Sequence, residues 1–256
     1  MKRTVLITGS TSGIGKAIAI AFAKLGHSII FHGLEEDGAE IAANIAKEYS
    51  IQYLFSNANV LYPEQIETLV RQANQTFGGI DILVNNAGIQ HVAPLDEFPI
   101  EKWNAILGIN LTAPFLLSKL CWSWMKQNQF GRIIHIASAH GMVASEHKSA
   151  YVASKHGLLG LTKTIALEGA PYNITCNAVC PGFVHTPIID KQLASLQEIH
   201  HMSKEEVIEN VLLQKQAVKK FISAELIANA VLFLAQEQAD AITGIALPVE
   251  GGWIAQ

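Results

Sequence analysis

Short runs rich in branched residues alternate along the chain with longer stretches of helical period. The runs are TVLIT (4–8), SIIFH (28–32), IQYLF (51–55), IDILV (80–84), RIIHIAS (132–138), NITCNAVC (173–180) and IALPV (245–249). Between them, apolar positions recur every three to four residues near 14–25, 37–49, 63–77, 99–127, 149–169 and 223–236. A repeated strand–helix unit predicts an α/β fold, a doubly wound parallel sheet of seven strands covered on both faces. One segment breaks the alternation. Residues 187–218, after CPGFVHTP, read as two short polar-faced helices with no strand between them, an excursion over the carboxyl ends of the strands where such sheets bind ligands. They are expected to form a helical substrate lid on an otherwise single domain spanning 1–256.

Composition narrows the function without naming it. Of 256 residues, 50% are hydrophobic and 16% charged, with a net charge of −4, so a large core is available and no positive field exists to hold nucleic acid or an anionic membrane surface. No apolar run is expected to reach the roughly 18–20 residues that span a bilayer. Cys121, Cys176 and Cys180 lack metal or redox spacing and read as buried free thiols, which suits a soluble cytoplasmic protein. His200 and His201 adjoin without a cysteine or carboxylate set, and no catalytic metal is expected.

The candidate chemistry begins at TGSTSGIG, Thr8 to Gly15, directly between the first strand and the first helix. Gly9, Gly13 and Gly15 permit a tight turn and close backbone approach. The helix N-terminus offers free N–H groups and a positive dipole end to a pyrophosphate. The spacing is GxxxGxG, and alone such a turn is also an ordinary connection. NNAG at 85–88 follows the fourth strand and sets small or amide-bearing residues (Asn86, Ala87, Gly88) at the same edge of the sheet. Farther along, Tyr151 and Lys155 stand four apart at the start of a helix, so both side chains face one small volume. A phenol titrates near 10, and a general base must sit near the working pH. An adjacent ammonium and a cationic cofactor ring are expected to lower Tyr151 by about three units, or roughly 4 kcal/mol.

With these motifs, and with Asn110, Ser138 and Pro181-Gly182 in place, the chain resembles the short-chain dehydrogenase/reductase family over its whole length. The resemblance implies a Rossmann-like fold, a catalytic set of Asn110, Ser138, Tyr151 and Lys155, and a homotetramer built on the long helices. In that set Ser138 polarises the reacting oxygen, Tyr151 exchanges its proton, Lys155 also binds the nicotinamide ribose, and Asn110 positions a water. It further implies cofactor contacts from Gly9, Thr11, Ser12, Gly13, Ile14 and Gly15, from Leu34, Asn59 and Val60 around the adenosine, from Asn86, Ala87 and Gly88, and from Pro181, Gly182, Val184 and Thr186 around the nicotinamide. The helices carrying Trp103, Phe115, Leu116, Trp122, Trp124, Leu158, Leu159 and Leu161 have apolar surface to spare for subunit contact.

Which nicotinamide is bound turns on FHGLEED, after the second strand. Gly33 occupies the family's usual acidic position and no cation follows. Glu35, Glu36 and Asp37 would repel a 2′-phosphate, which favours NAD, and a protonated His32 would offset part of that repulsion.

His140 and Lys148 are cations that reduction of a neutral ketone does not need, so an anionic substrate is expected. Read alone, they are a loop histidine and a surface lysine. Within the family the resemblance narrows to members acting on short 3-hydroxy acids. It implies that Gln90, His140, Lys148 and Gln192 hold a carboxylate while Ser138 and Tyr151 hold the 3-oxygen. Phe183 stands where those relatives carry tryptophan and His185 where they carry arginine, and Trp253 is expected at or near the pocket. The implied reaction is NAD-dependent oxidation of (R)-3-hydroxybutyrate to acetoacetate and its reverse. The alternatives are reduction of 3-oxoacyl thioesters or another small ketone on the same scaffold, and a nucleotide-binding protein without chemistry.

Overall fold

All seven strand-like runs form strands, and they lie side by side in one sheet of order β3-β2-β1-β4-β5-β6-β7, every neighbouring pair parallel. They are β1 (Thr4–Ile7), β2 (Ser28–His32), β3 (Tyr53–Ser56), β4 (Ile82–Asn85), β5 (Gly131–Ile136), β6 (Ile174–Pro181) and β7 (Ala246–Val249). The computed structural model describes residues 2–184, 193, 197 and 201–255. Expectations that fall on His185, Thr186, Gln192 and His200, and the first part of the predicted lid, lie outside these residues.

The helices are α1 (Gly13–Lys24), α2 (Gly38–Tyr49), α3 (Pro63–Phe77), α4 (Ile100–Leu107), α5 (Ala113–Gln127), α6 (Ser149–Gly169), α7 (Lys204–Val207) and α8 (Ala224–Ala235). Strands β1, β4, β5 and β6 are buried at every position, as a sheet covered on both faces requires. One core, with Val5, Ile7, Ile29 and Val84, is closed by Ile18 and Phe22 of α1 and Ile227 and Val231 of α8; the other, with Leu6, Ile30, Leu83 and Ile133, is closed by Ile66 and Leu69 of α3 and Leu117 and Met125 of α5.

Two expectations change. Residues 100–127 are long and apolar enough, by length and composition, to cross a membrane, contrary to the reading of the sequence. In the fold, though, Ile106, Asn110, Ala113, Leu117, Cys121 and Met125 of this stretch are buried within the subunit. The helix is also not continuous, because Gly108–Thr112 forms a wider π turn between α4 and α5. Trp124 and Leu158 are not spare surface either. The Trp124 indole lies over Gly78 and Gly79 and donates to Asp81 Oδ1 at 3.1 Å, and Leu158 is buried against Ala137, Ala178 and Cys180. The large apolar side chains exposed on these helices are Ile100, Phe115 and Leu167. All three cysteines are free and buried, as expected.

The strand order reverses between β1 and β4, and the crevice at their carboxyl ends is where an open parallel sheet takes its ligand. Leu6, fully buried in the middle of β1, tests the sheet that carries this crevice. Leu6→Ala is expected to lower unfolding free energy by about 2–5 kcal/mol in urea titration. A loss below about 1 kcal/mol would contradict the packing described.

Candidate active site

The chain turns sharply after β1, with Gly9 at φ +64° and Gly13 at φ +50°. A Cβ added to Gly15 would lie 2.0 Å from the Gly9 carbonyl oxygen and 2.5 Å from Asn86 Nδ2, so only glycine allows α1 to start this close to the turn. The end of β4 braces the turn from the other side. Thr8 Oγ1 accepts the backbone N–H groups of Asn86 and Ala87, both at 3.0 Å, and Asn86 Nδ2 donates to the carbonyls of Thr8 and Gly9 at 2.8 and 3.0 Å. Asn86 was expected only as a cofactor contact. Its amide is also the strut that holds the glycine turn.

A cavity of about 700 Å³ opens from this brace. Gly9, Ser12, Gly13 and Ile14 line it at the turn, Leu34, Asn59 and Val60 beyond β2 and β3, Asn86, Ala87 and Gly88 after β4, and Pro181, Gly182 and Val184 at and after the end of β6. Its other end is lined by Gln90, Ser138, His140, Lys148, Tyr151, Lys155 and Phe183. Among the described residues, Asn110 and three expected contacts stand outside the lining. Thr11 turns its hydroxyl onto Glu35, Gly15 packs beneath the turn, and Trp253 stands behind the wall, its indole stacked on Phe183 at 5.5 Å and edge-on to His140 at 5.0 Å. Phe183 therefore meets the cavity itself while Trp253 backs it.

The loop after β2 corrects the reading of His32. The ring is buried, Nδ1 accepts the Gly9 N–H at 3.0 Å, and Nε2 lies 2.7 Å from the Ala58 carbonyl. Only a neutral ring with its hydrogen on Nε2 satisfies both partners, and burial lowers its pKa further, so His32 supplies no positive charge. Glu35 does more than sit nearby. Its carboxylate accepts the Thr11 hydroxyl and, at 2.8 Å, the Ser12 hydroxyl. Partial burial pushes the Glu35 carboxyl up, but these hydrogen bonds together hold it below the usual range. A Cβ on Gly33 would meet Thr11 Oγ1 at 2.0 Å and Glu35 Oε2 at 2.5 Å, so a side chain there does not fit beside the Thr11–Glu35 pair.

At the reacting end, Lys155 and Tyr151 leave α6 one turn apart. Lys155 is buried, its Nζ donates to the Ile136 carbonyl at 2.8 Å and lies 5.6 Å from the centre of the Tyr151 ring. Burial brings the ammonium down to about 8. Tyr151 departs from expectation: burial of the phenol raises its pKa in the chain alone, and the hydrogen bond with Ser138 opposes this only in part. Lys155 Nζ gives one of its three hydrogens to a backbone carbonyl and keeps two for other partners. Asn110, in the π turn, accepts the Ile89 N–H at 2.9 Å and donates to the Ile89 carbonyl at 2.9 Å and to Ser154 Oγ at 3.1 Å. Gly88 leaves room for Asn110 Oδ1 and Lys155 Nζ, which would stand 3.3 and 3.7 Å from a Cβ there.

His140 is also corrected as a cation. Burial first, then the charges of Lys148 and Lys215, bring it down to about 4, so it is neutral at physiological pH. Lys148 lines the cavity with a pKa lowered by burial and by Lys215. The positive charge at this end thus comes from lysines. Lys215, over the Trp253 ring at 6.0 Å, had no motif to announce it.

With this geometry established, a family model for short chain dehydrogenases matches residues 3–197. The chain belongs to that family, whose dehydrogenases work with a nicotinamide cofactor. It is 44% identical to the D-beta-hydroxybutyrate dehydrogenase of Rhizobium meliloti (strain 1021) over the full length of both chains. It is 43% identical to the enzyme of that name from Cupriavidus necator, with 99% of this chain and 98% of the relative covered. At 36% identity, it is similar to the 3-oxoacyl-acyl-carrier-protein reductase of Aquifex aeolicus, over 96% of this chain and 95% of that one.

The buried neutral histidines make stability depend on pH in a definite direction. A ring whose folded pKa lies below its ordinary 6.5 refuses protons that the unfolded chain accepts. Stability is therefore full above 6.5 and is lost as pH falls toward about 4 for His140 and about 3 for His135. The depressed carboxylates Glu35, Glu206 and Glu237 add the same sign only once the pH nears their ordinary 4.5. Urea titrations are expected to show unfolding free energy falling between pH 6.5 and 4.5, with a shallower fall in His135→Gln. A flat profile in the parent chain would contradict the neutral rings.

Proposed function

We propose that the protein is an NAD-dependent dehydrogenase of (R)-3-hydroxybutyrate, interconverting it with acetoacetate. The observation that carries this reading is the convergence, in one cavity, of Ser138, Tyr151 and Lys155 with Gln90 and Lys148, next to a glycine turn fit for a pyrophosphate. The similarity to two enzymes named for this substrate supports it.

A bound nicotinamide cofactor would supply the hydride acceptor for oxidation and the hydride donor for reduction. The side chains do the rest. Lys148 and Gln90, with Gln192, hold the carboxylate, a group whose lost hydration demands charge-assisted donors. Ser138 donates to the 3-oxygen, and Tyr151 takes its proton as hydride leaves. Lys155 holds the nicotinamide ribose and keeps positive charge beside the phenolate. Asn110, braced by Ile89 and Ser154, positions the water through which Tyr151 recovers its proton state. His140, neutral and hydrogen-bonded, contributes direction rather than charge. NAD is the cofactor in this reading because Glu35 holds a carboxylate against Thr11 and Ser12, on the cavity wall, where a 2′-phosphate would need a cation. A homotetramer joined through the long helices would cover Phe115 and Leu167.

Initial rates with both enantiomers of 3-hydroxybutyrate, each with NAD and NADP, test the assignment. Turnover is expected for the R form with NAD, and Glu35→Ala is expected to narrow the NAD preference. Higher activity on an acetoacetyl thioester than on acetoacetate would favour the reductase activity that the Aquifex relative's name states.

The division of labour has its own test. Tyr151→Phe is expected to lower kcat by about 10²–10⁴-fold. Lys148→Ala is expected to raise KM for 3-hydroxybutyrate about ten- to a hundredfold, the loss of a charge-assisted hydrogen bond, and to leave NADH binding, followed by its fluorescence, nearly unchanged. Equal loss of cofactor affinity in the lysine variant would count against the carboxylate grip.

A further inference from the structure

His140 begins two residues past Ser138, in the tight turn Ala139–Gly141, and both of its ring nitrogens have a hydroxyl neighbour. Nε2 lies 2.9 Å from Ser145 Oγ, and Nδ1 lies 3.5 Å from Ser138 Oγ. The backbone N–H of His140 donates to the same Ser138 Oγ at 3.1 Å. Edge-on contacts to Trp253 at 5.0 Å and Tyr151 at 5.9 Å fix the plane of the ring. What remains open is which nitrogen carries the single hydrogen of the neutral ring.

That choice decides where Ser138 can point. A hydroxyl has one hydrogen and two lone-pair directions. With Nδ1 bare, the Ser138 hydrogen turns to it and none is left for the reacting oxygen. With Nδ1–H, the ring becomes a second donor into Ser138 Oγ, beside the His140 N–H. Both lone-pair directions are then filled, and the Ser138 hydrogen is free to aim at Tyr151 and the substrate. The Nδ1–H form leaves Nε2 as an acceptor, and Ser145 is the hydroxyl placed to donate to it.

We propose that Ser145 is a positioning residue. By donating to Nε2 it holds His140 in the Nδ1–H tautomer, and through His140 it aims the Ser138 hydroxyl at the substrate oxygen. The proposal rests on the reading of Ser138 and Tyr151 given above. The 3.5 Å spacing at Nδ1 is of the kind that shortens when substrate draws the catalytic hydrogen bonds together.

The test combines ¹⁵N NMR of the full-length enzyme labelled at its histidine rings, the His140 signals assigned by their loss in His140→Asn, with steady-state kinetics. The expected parent spectrum has a protonated Nδ1 and a bare Nε2. Ser145→Ala is expected to shift His140 toward Nε2–H and to lower kcat about ten- to a hundredfold, as loss of an outer hydrogen-bond partner does, with KM for NAD unchanged. Ser145→Thr, which keeps the hydroxyl, is expected to restore both. An Nε2–H ring in the parent enzyme would overturn the proposal, and so would a fall in kcat in Ser145→Ala without a change of tautomer. The tautomer is read without turnover, so failure of the enzyme to oxidise 3-hydroxybutyrate would remove the substrate reading and leave this assignment to be judged by the spectrum.

Discussion

Everything at this site depends on how closely the turn after β1 approaches the end of β4. The two segments are adjacent because the strand order reverses between them, and they stay adjacent because Asn86 and Ala87 make four hydrogen bonds to Thr8 and Gly9 across the gap. A methyl group on Gly15 would not fit. The brace satisfies backbone groups that would otherwise be buried without partners. It also fixes the turn from which α1 begins, and the N-terminus of a helix is where an anion finds free N–H groups.

A second ordering principle is the removal of charge from the interior. Burial drives His32, His135 and His140 toward the neutral form, and His32 and His140 act through the hydrogen bonds of their rings. His32 links the glycine turn to the Ala58 carbonyl beyond β3, and His140 links the Ser138 turn to Ser145. Charge is kept where a ligand would meet it: the Glu35 carboxylate at one end of the cavity, Lys148 and Lys155 at the other. A ligand anionic at one place and uncharged at another would find this distribution complementary.

The C-terminal third of the chain is drawn into the same site by two buried polar side chains without any motif. Gln216 accepts the Phe183 N–H at 3.1 Å and donates to the carbonyls of Val218 and Lys220. It thereby joins the wall beside Pro181-Gly182 to the segment that follows α7. Glu250 accepts the Ile254 N–H at 3.1 Å and so sets the short turn Trp253–Ala255, placing the indole behind Phe183. The cavity wall is therefore supported by a layer that itself touches no cavity space.

The linear order of residues was enough for the strands, the helices from 13 to 169, the glycine turn and the Ser138, Tyr151 and Lys155 set. All of these are written as local periods or short spacings, and neighbours three or four apart share a face whatever the rest of the chain does. It was not enough for groups whose role depends on partners far away in sequence. His32 read as a possible cation until its two partners, 23 and 26 residues distant, made it a neutral strut. Glu35 read only as a repelling charge, and its hydrogen bonds with Thr11 and Ser12 were not legible; nor was the burial that raises the phenol of Tyr151 in the chain alone. Protonation state, tautomer and the inward or outward turn of Trp124 or Leu158 depend on desolvation and on contacts between distant segments, and these exist only once the sheet has brought the segments together.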